Sequence, residues 1–210
     1  MTVLASRTPV VFGEVLFDRF PDGRAVLGGA PFNVAWNLKA LGKKPLLVSR
    51  VGQDGLGDRI AEAMQQWQLP TGGLQRDDHH PTGTVEVTIE DGEPAYDIAP
   101  DKAYDFIDAA ELPFLEKAGI LYHGSLALRS ASPRRALVHL YRELAAPVFL
   151  DVNLRAPWWD RPEVLELIDR AKWVKLNEGE LAAIVPEVEG NQQRARVLFD
   201  RSDLICPVSY

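Results

Sequence analysis

Cysteine is almost missing from this chain. Cys206 stands alone among 210 residues, which excludes an internal disulfide framework and any multi-cysteine metal site. Long apolar runs are missing as well: no stretch approaches the ~20 residues needed to span a bilayer, and no charged-then-apolar leader precedes the first strand-like run. Positive charge is in short supply, because 23 Lys and Arg against 30 Asp and Glu leave a formal charge of -7. Polyanion binders usually carry a basic patch or stripe, so no nucleic-acid or membrane partner is expected and any phosphate site must be local. The expected setting is a reduced, cytoplasmic one. Two nucleotide signatures are also lacking: the Gly-Lys-Ser/Thr of a Walker A loop, and a G-x-G-x-x-G after the first strand. The second absence disfavours a nicotinamide-dependent oxidoreductase.

What is present is enough apolar residue, 46% of the chain, for one substantial core. Short β-branched runs read as buried strands at Val10–Phe12, Leu46–Val51, Ile120–Tyr122, Val148–Leu150 and Trp173–Leu176, with a weak one at Leu204–Ile205. Helical segments lie between them, at 31–41, 56–69, 133–144, 162–171, 179–184 and 192–199, and Pro31, Pro133 and Pro162 suit first-turn positions. Alternating strand and helix predicts an α/β fold with a mainly parallel sheet. Residues 84–90 break the rhythm: Val85, Val87 and Ile89 alternate with Glu86, Thr88 and Glu90, a period of two with one wet face. Asp91-Gly92 then predicts a turn and 94–98 a return strand, with 15–20 available to pair beside them. Such a hairpin is either a substrate lid or an ordinary edge hairpin.

In open α/β sheets, ligands bind outside the carboxyl ends of the strands. The polar residues at those points are Gly13, Glu14 and Asp18; Gly52 and Asp54; Asp151, Asn153 and Arg155; and Asn177 and Glu180. Each has a plain structural alternative: Asp54 or Asn177 can serve only as a helix cap, and Asp151 or Asn153 only as a turn former. Their convergence on one edge favours a site. His79-His80 beside Asp77-Asp78 reads as a solvated loop, His123 as a packed or hydrogen-bonded histidine, and Trp36 and Trp67 as core or partner contacts.

Gly28-Gly29-Ala30-Pro31-Phe32-Asn33-Val34-Ala35, followed by Gly42 and Gly52, reproduces the spacing of the first signature of the PfkB carbohydrate kinases. Further elements agree in order: Gly13-Glu14 with Asp18, Val51-Gly52-Gln53-Asp54-Gly55-Leu56-Gly57, Asp151-Val152-Asn153-Leu154-Arg155 with Trp158-Trp159, and Lys175-Leu176-Asn177-Glu178-Gly179-Glu180. The chain therefore resembles the amino-terminal two-thirds of a ribokinase-like sugar kinase, most similar to a fructokinase. That resemblance implies a three-layer α/β/α domain over residues 1–210, with a small β lid from roughly 14–28 and 84–99. It implies ATP and Mg2+ as cofactors and transfer of a phosphoryl group to a sugar hydroxyl. By resemblance Asp18, Gly29, Asn33, Asp54, Tyr96 and Arg155 bind the sugar. Asn177 and Glu180 orient the hydrated metal near the ATP phosphates, Glu180 through water. A homodimer paired through the lids is a further implication.

The family's catalytic base lies in a Gly-Ala-Gly-Asp element well after the Asn-x-x-Glu segment, so the base and its anion hole are expected beyond Tyr210. Gly55-Leu56-Gly57-Asp58 mimics the element, but Asp58 reads more simply as a first-turn acid. Pro207 looks ill-suited to a strand. The expectation is a shortened kinase, and the alternative is a non-catalytic sugar-binding remnant or a lid-mediated partner of a full-length enzyme.

Overall fold

The computed structural model describes residues 8–90, 93–115, 118–201 and 206–208. In chain order the first elements are β1 (Thr8–Phe12), β2 (Leu16–Arg19), β3 (Ala25–Gly28), α1 (Ala30–Ala40), β4 (Leu46–Gly52), α2 (Gly55–Gln66), β5 (Leu74–Asp77), β6 (Gly83–Glu90) and β7 (Glu93–Ile98). There follow β8 (Ala118–His123), α3 (Ala131–Leu144), β9 (Val148–Asp151), α4 (Arg161–Arg170), β10 (Trp173–Lys175), α5 (Glu178–Ile184), α6 (Asn191–Arg201) and β11 (Cys206–Val208).

Val10, Val11 and Phe12 are all fully buried, as a strand must be when helices cover both faces of its sheet. β1 sits in a seven-stranded sheet of order β11-β10-β9-β8-β1-β4-β5, and every pairing in it is parallel. The period of two decides which layer each side chain joins. Val11 packs with Phe32 and Ala35 of α1 and Ile60 and Met64 of α2, whereas Val10 and Phe12 pack with Ala136, Leu137 and Leu140 of α3. Along the same face, Val148, Leu150 and Val174 meet Val164 and Ile168 of α4 and Leu181 and Ile184 of α5. The predicted three-layer α/β/α arrangement is thus present, and among the described residues no helix is long and apolar enough to cross a membrane.

β2, β3, β6 and β7 form a second sheet of order β3-β2-β6-β7. β2 pairs with β6 in parallel and with β3 antiparallel, and β6 and β7 form the antiparallel pair that the alternation at 84–90 predicts. Leu16, Val85 and Ile98 turn inward onto Tyr104, Leu126 and Ala127. The turn expected at Asp91-Gly92 and the weak strand at 204–205 lie outside the described residues.

Three details differ from expectation. α2 ends at Gln66, not Leu69, because Pro70 disfavours a helical residue before it and Gln68 adopts φ +55°. β5 has no apolar signature: in Leu-Gln-Arg-Asp the polar Gln75 and Asp77 are the buried pair. Pro207 lies within β11 opposite Val174, at the edge of the described sheet, where a missing N–H need not interrupt a ladder.

Candidate functional site

Because the main sheet is parallel, the C-terminal ends of its strands share one edge. From β1 the chain moves outward through β4 and β5, then returns to place β8 on the other side of β1 and continues to β9 and β10. The strand order therefore reverses between β1 and β8, the point at which such sheets take ligands. A cleft of about 240 Å3 opens there, with the small sheet as its other wall. Its lining joins Glu14 after β1, Asp18 on β2, Gly29, Ala30 and Asn33 at the start of α1, Tyr96 on β7, and Asp151, Asn153, Arg155 and Lys175 beyond β9 and on β10.

The local fold accounts for these placements. Gly29 caps α1 at φ +103°, and a Cβ there would stand 2.7 Å from the Glu14 carbonyl oxygen. Only glycine permits that approach, which brings the first turn of α1 beside the end of β1. At Gly28 a Cβ would meet Asp18 Oδ2 at 2.8 Å, so the bare backbone leaves the Asp18 carboxylate its space. Burial raises the pKa of Asp18 while the Arg155 guanidinium pulls it down.

Arg155 rides on a loop pinned at several points. Leu154 N–H donates to Glu180 Oε1 at 2.9 Å, Trp158 N–H donates to the Arg155 carbonyl at 2.7 Å, and the Trp158 indole donates to the Ile98 carbonyl at 3.1 Å. The guanidinium carbon of Arg155 lies 5.2 Å from the centroid of the Tyr96 ring. Tyr96 is 45% exposed, so the pair forms one rim of the cleft. Beneath it, Lys175 Nζ donates to both Asp151 oxygens at 2.9 and 3.0 Å, and the Tyr122 hydroxyl donates to Asp151 Oδ2 at 2.9 Å. Burial raises the Tyr122 pKa, which keeps it the proton donor in that bond. Burial pushes the Glu14 carboxyl up to about 7, with opposition from the backbone N–H groups of Glu14 and Ala30 and from Arg155.

Of the residues expected to bind ligand, Asp18, Gly29, Asn33, Tyr96 and Arg155 come together in this lining, and Asp54 does not. Asp54 caps α2 through Gly57 N–H at 2.8 Å and holds the Thr82 N–H and hydroxyl at 2.8 and 2.7 Å. Those hydrogen bonds outweigh burial and lower its pKa. Asn177 and Glu180 also stand outside the lining. They form a reciprocal capping box at the start of α5, Asn177 Oδ1 accepting from Glu180 N–H and Glu180 Oε2 from Asn177 N–H, at 2.9 and 2.8 Å. Glu14, Asp151, Asn153 and Lys175 join the lining although the family resemblance gives them no ligand role, and their signal in the sequence is position, at or just past a strand end. Asp58 pairs with Arg76 at 3.1 Å and lies outside the lining.

His123, His80, Trp36 and Trp67 have structural partners. His123 is buried between the Gly124 carbonyl, 2.9 Å from Nδ1, and the Tyr141 hydroxyl, 2.7 Å from Nε2. His80 stacks on Phe106 and contacts Asp77, and Trp36 stacks on Trp67. Among the described residues no cluster of three or more His, Cys, Asp or Glu could hold a metal ion.

The cleft therefore offers carboxylates, amides and cations in close alternation, with an aromatic ring at its rim. Such a surface suits a small neutral ligand with many hydroxyls, each able to donate to a carboxylate or accept from a cation.

Comparison with known proteins gives the same direction. Residues 9–199 match the family model for pfkB family carbohydrate kinases. A fructokinase of Salmonella typhimurium is 33% identical over 189 residues, covering 83% of this chain and 61% of that protein. A putative sugar kinase of Pyrococcus horikoshii is 28% identical over 176 residues, covering 79% of this chain and 55% of that protein. Its crystal structure superposes with a TM-score of 0.79 at 27% identity, over 85% of this chain and 68% of that one. A double-mutant fructokinase of Vibrio cholerae, solved with fructose, ADP and potassium ion bound, has a TM-score of 0.85 at 24% identity, over 97% of this chain and 70% of that one. The chain spans a little over half the length of the two curated relatives.

Proposed function

Since the chain belongs to the pfkB family of carbohydrate kinases, we propose that its cleft is the sugar site of an ATP-dependent kinase that phosphorylates a sugar hydroxyl, with fructose as the sugar. The observation that carries this reading is the convergence of Asp18, Asn33, Tyr96 and Arg155 on one cleft of about 240 Å3 at the strand-order reversal. Asp18 accepts from sugar hydroxyls, Asn33 supplies an amide, and Arg155, held against Tyr96, donates to sugar oxygens from the side of the small sheet. That sheet, contributed by roughly residues 14–28 and 84–99, acts as a lid over the cleft. The fructokinases among the relatives, together with Arg155 and the neighbouring Trp158 and Trp159, favour fructose over other sugars.

The phosphoryl donor fits the described residues less directly. The Asn177 Oδ1 and both Glu180 oxygens each accept from a backbone N–H, which is compatible with the water-mediated metal contact that the family resemblance implies for Glu180. When bound, ATP and Mg2+ supply the transferred phosphate and neutralise its charge. The alternative reading is sugar binding without transfer.

Thermal shift and calorimetry on the purified chain separate the two readings. The expected result is a melting temperature raised by fructose, with the rise lost in Arg155→Ala and Tyr96→Ala. ADP release with Mg-ATP and fructose supports transfer, and fructose binding without ADP release supports the second reading. Absence of response to fructose, ribose, other hexoses and nucleosides overturns both.

A further inference from the structure

Among the described residues three buried side-chain atoms lack a hydrogen-bond partner: Glu14 Oε2, Ser49 Oγ and Arg129 Nη1. Of their residues only Glu14 lines the cleft. Glu14 is 2% exposed, and a carboxylate oxygen so placed has given up water without a protein donor in exchange, an unfavourable state that a bound donor relieves. Asp151 in the same cleft differs, because Lys175 and Tyr122 already occupy its oxygens.

We propose that Glu14 is a ligand-contacting residue whose carboxyl turns its unpartnered oxygen to one sugar hydroxyl, so that the cleft selects a hydroxyl over a bare carbon at that position. The proposal rests on the sugar-site reading above. Geometry supports it twice: Glu14 stands just past the end of β1, where the strand order reverses, and Gly29 closes onto the Glu14 main-chain carbonyl, so Glu14 and the first turn of α1 stand together in the cleft lining. The charge environment agrees. Arg155 favours the ionised form, Asp151 opposes it, and Tyr104, Tyr122 and Arg129 all feel the Glu14 charge. With its carboxyl raised to about 7, Glu14 is partly protonated near neutrality. A donating hydroxyl stabilises the ionised form, so binding should release a proton there.

The test is calorimetric titration of the wild-type chain and Glu14→Gln with fructose and with each singly deoxygenated fructose at pH 8, and of the wild type at pH 7 in two buffers of different ionisation enthalpy. The expected result is fructose affinity weakened roughly ten-fold or more in the variant. One deoxy sugar should show the same loss with the wild type and no further loss with the variant, and the wild type should release a fraction of a proton per fructose bound at pH 7. Equal fructose affinity of the two proteins, or binding at pH 7 with no proton released, overturns the proposal and leaves the sugar site standing. Absence of any sugar binding by the wild type overturns the sugar site and this inference together. The proton measurement needs no variant, so a poorly folded Glu14→Gln does not shelter the proposal.

Discussion

Replacing Glu14 by Gln should alter how stability depends on pH more than it alters stability itself. The pKa of Glu14 is raised by burial from 4.5 to about 7. A group whose folded pKa exceeds its unfolded value stabilises fully below the unfolded pKa, and that contribution is lost as pH rises through the folded one. Between pH 5 and pH 8 the loss amounts to about 2–3 kcal/mol. His123 works in the opposite sense: burial lowers its pKa from 6.5 to about 4. Its Nδ1 must carry the hydrogen, because the Gly124 carbonyl can only accept, which leaves Nε2 to accept from Tyr141. Its contribution is present above pH 6.5 and is lost as pH falls toward 4, about 2 kcal/mol between pH 8 and pH 5. In the wild type these two slopes nearly cancel. Glu14→Gln should therefore uncover a stability that climbs by about 2 kcal/mol from pH 5 to pH 8, or about 4–8 °C in Tm for a domain of this size. His123→Gln should uncover the reverse slope. Urea unfolding of the three proteins at pH 5, 6, 7 and 8, followed by tryptophan fluorescence, reads both. Parallel curves for wild type and Glu14→Gln across that range would refute the reasoning.

Two further predictions rest on packing. Arg129 holds Asp105 through two 2.7 Å bonds, with both side chains almost fully buried; Asp105→Ala strands the guanidinium and should cost about 3–5 kcal/mol in urea unfolding, and a loss under about 1 kcal/mol would show that water reaches the site. Gly29→Ala places a Cβ 2.7 Å from the Glu14 carbonyl at φ +103°, which should cost about 1–3 kcal/mol and remove the fructose-induced thermal shift, whereas an unchanged shift would show that the cleft tolerates a moved α1.

The layers of the main sheet are legible in the sequence because burial on both faces leaves continuous apolar runs such as Val10–Phe12, and β6 is legible because Val85 and Val87 are buried while Glu86 and Thr88 are exposed. β5 is not, since its buried residues are polar and depend on distant partners: Gln75 bonds to the Asp108 backbone, and Asp77 to Arg50. β3 hides in the run leading to Gly28-Gly29, too short to show a period. At the site, position along the strand edge locates the cleft. Capping and ligand binding use the same residue types at the same points, so Asp54 and Asp18 look equivalent until the Thr82 and Gly57 hydrogen bonds separate them. Glu14 shows the other limit: adjacency to β1 is written in the chain, but the lack of a partner for its Oε2 exists only once the surrounding elements are in place.

The small sheet joins the core by unusually short connections. Three residues separate β1 from β2, and Gly29 alone separates β3 from α1. One extended residue reaches ~3.5 Å, so these strands cannot slide away from the cleft; they can only pivot about their tethers. At the opposite edge, the end of β7 is fastened by the Trp158 indole on the Ile98 carbonyl and by Arg129 on the Ala99 carbonyl. Any opening of the small sheet would then be the swing of a hinged door whose latch hangs on the Arg155 loop and on Arg129, and Arg155, the proposed ligand contact, sits three positions from Trp158, which fastens the door.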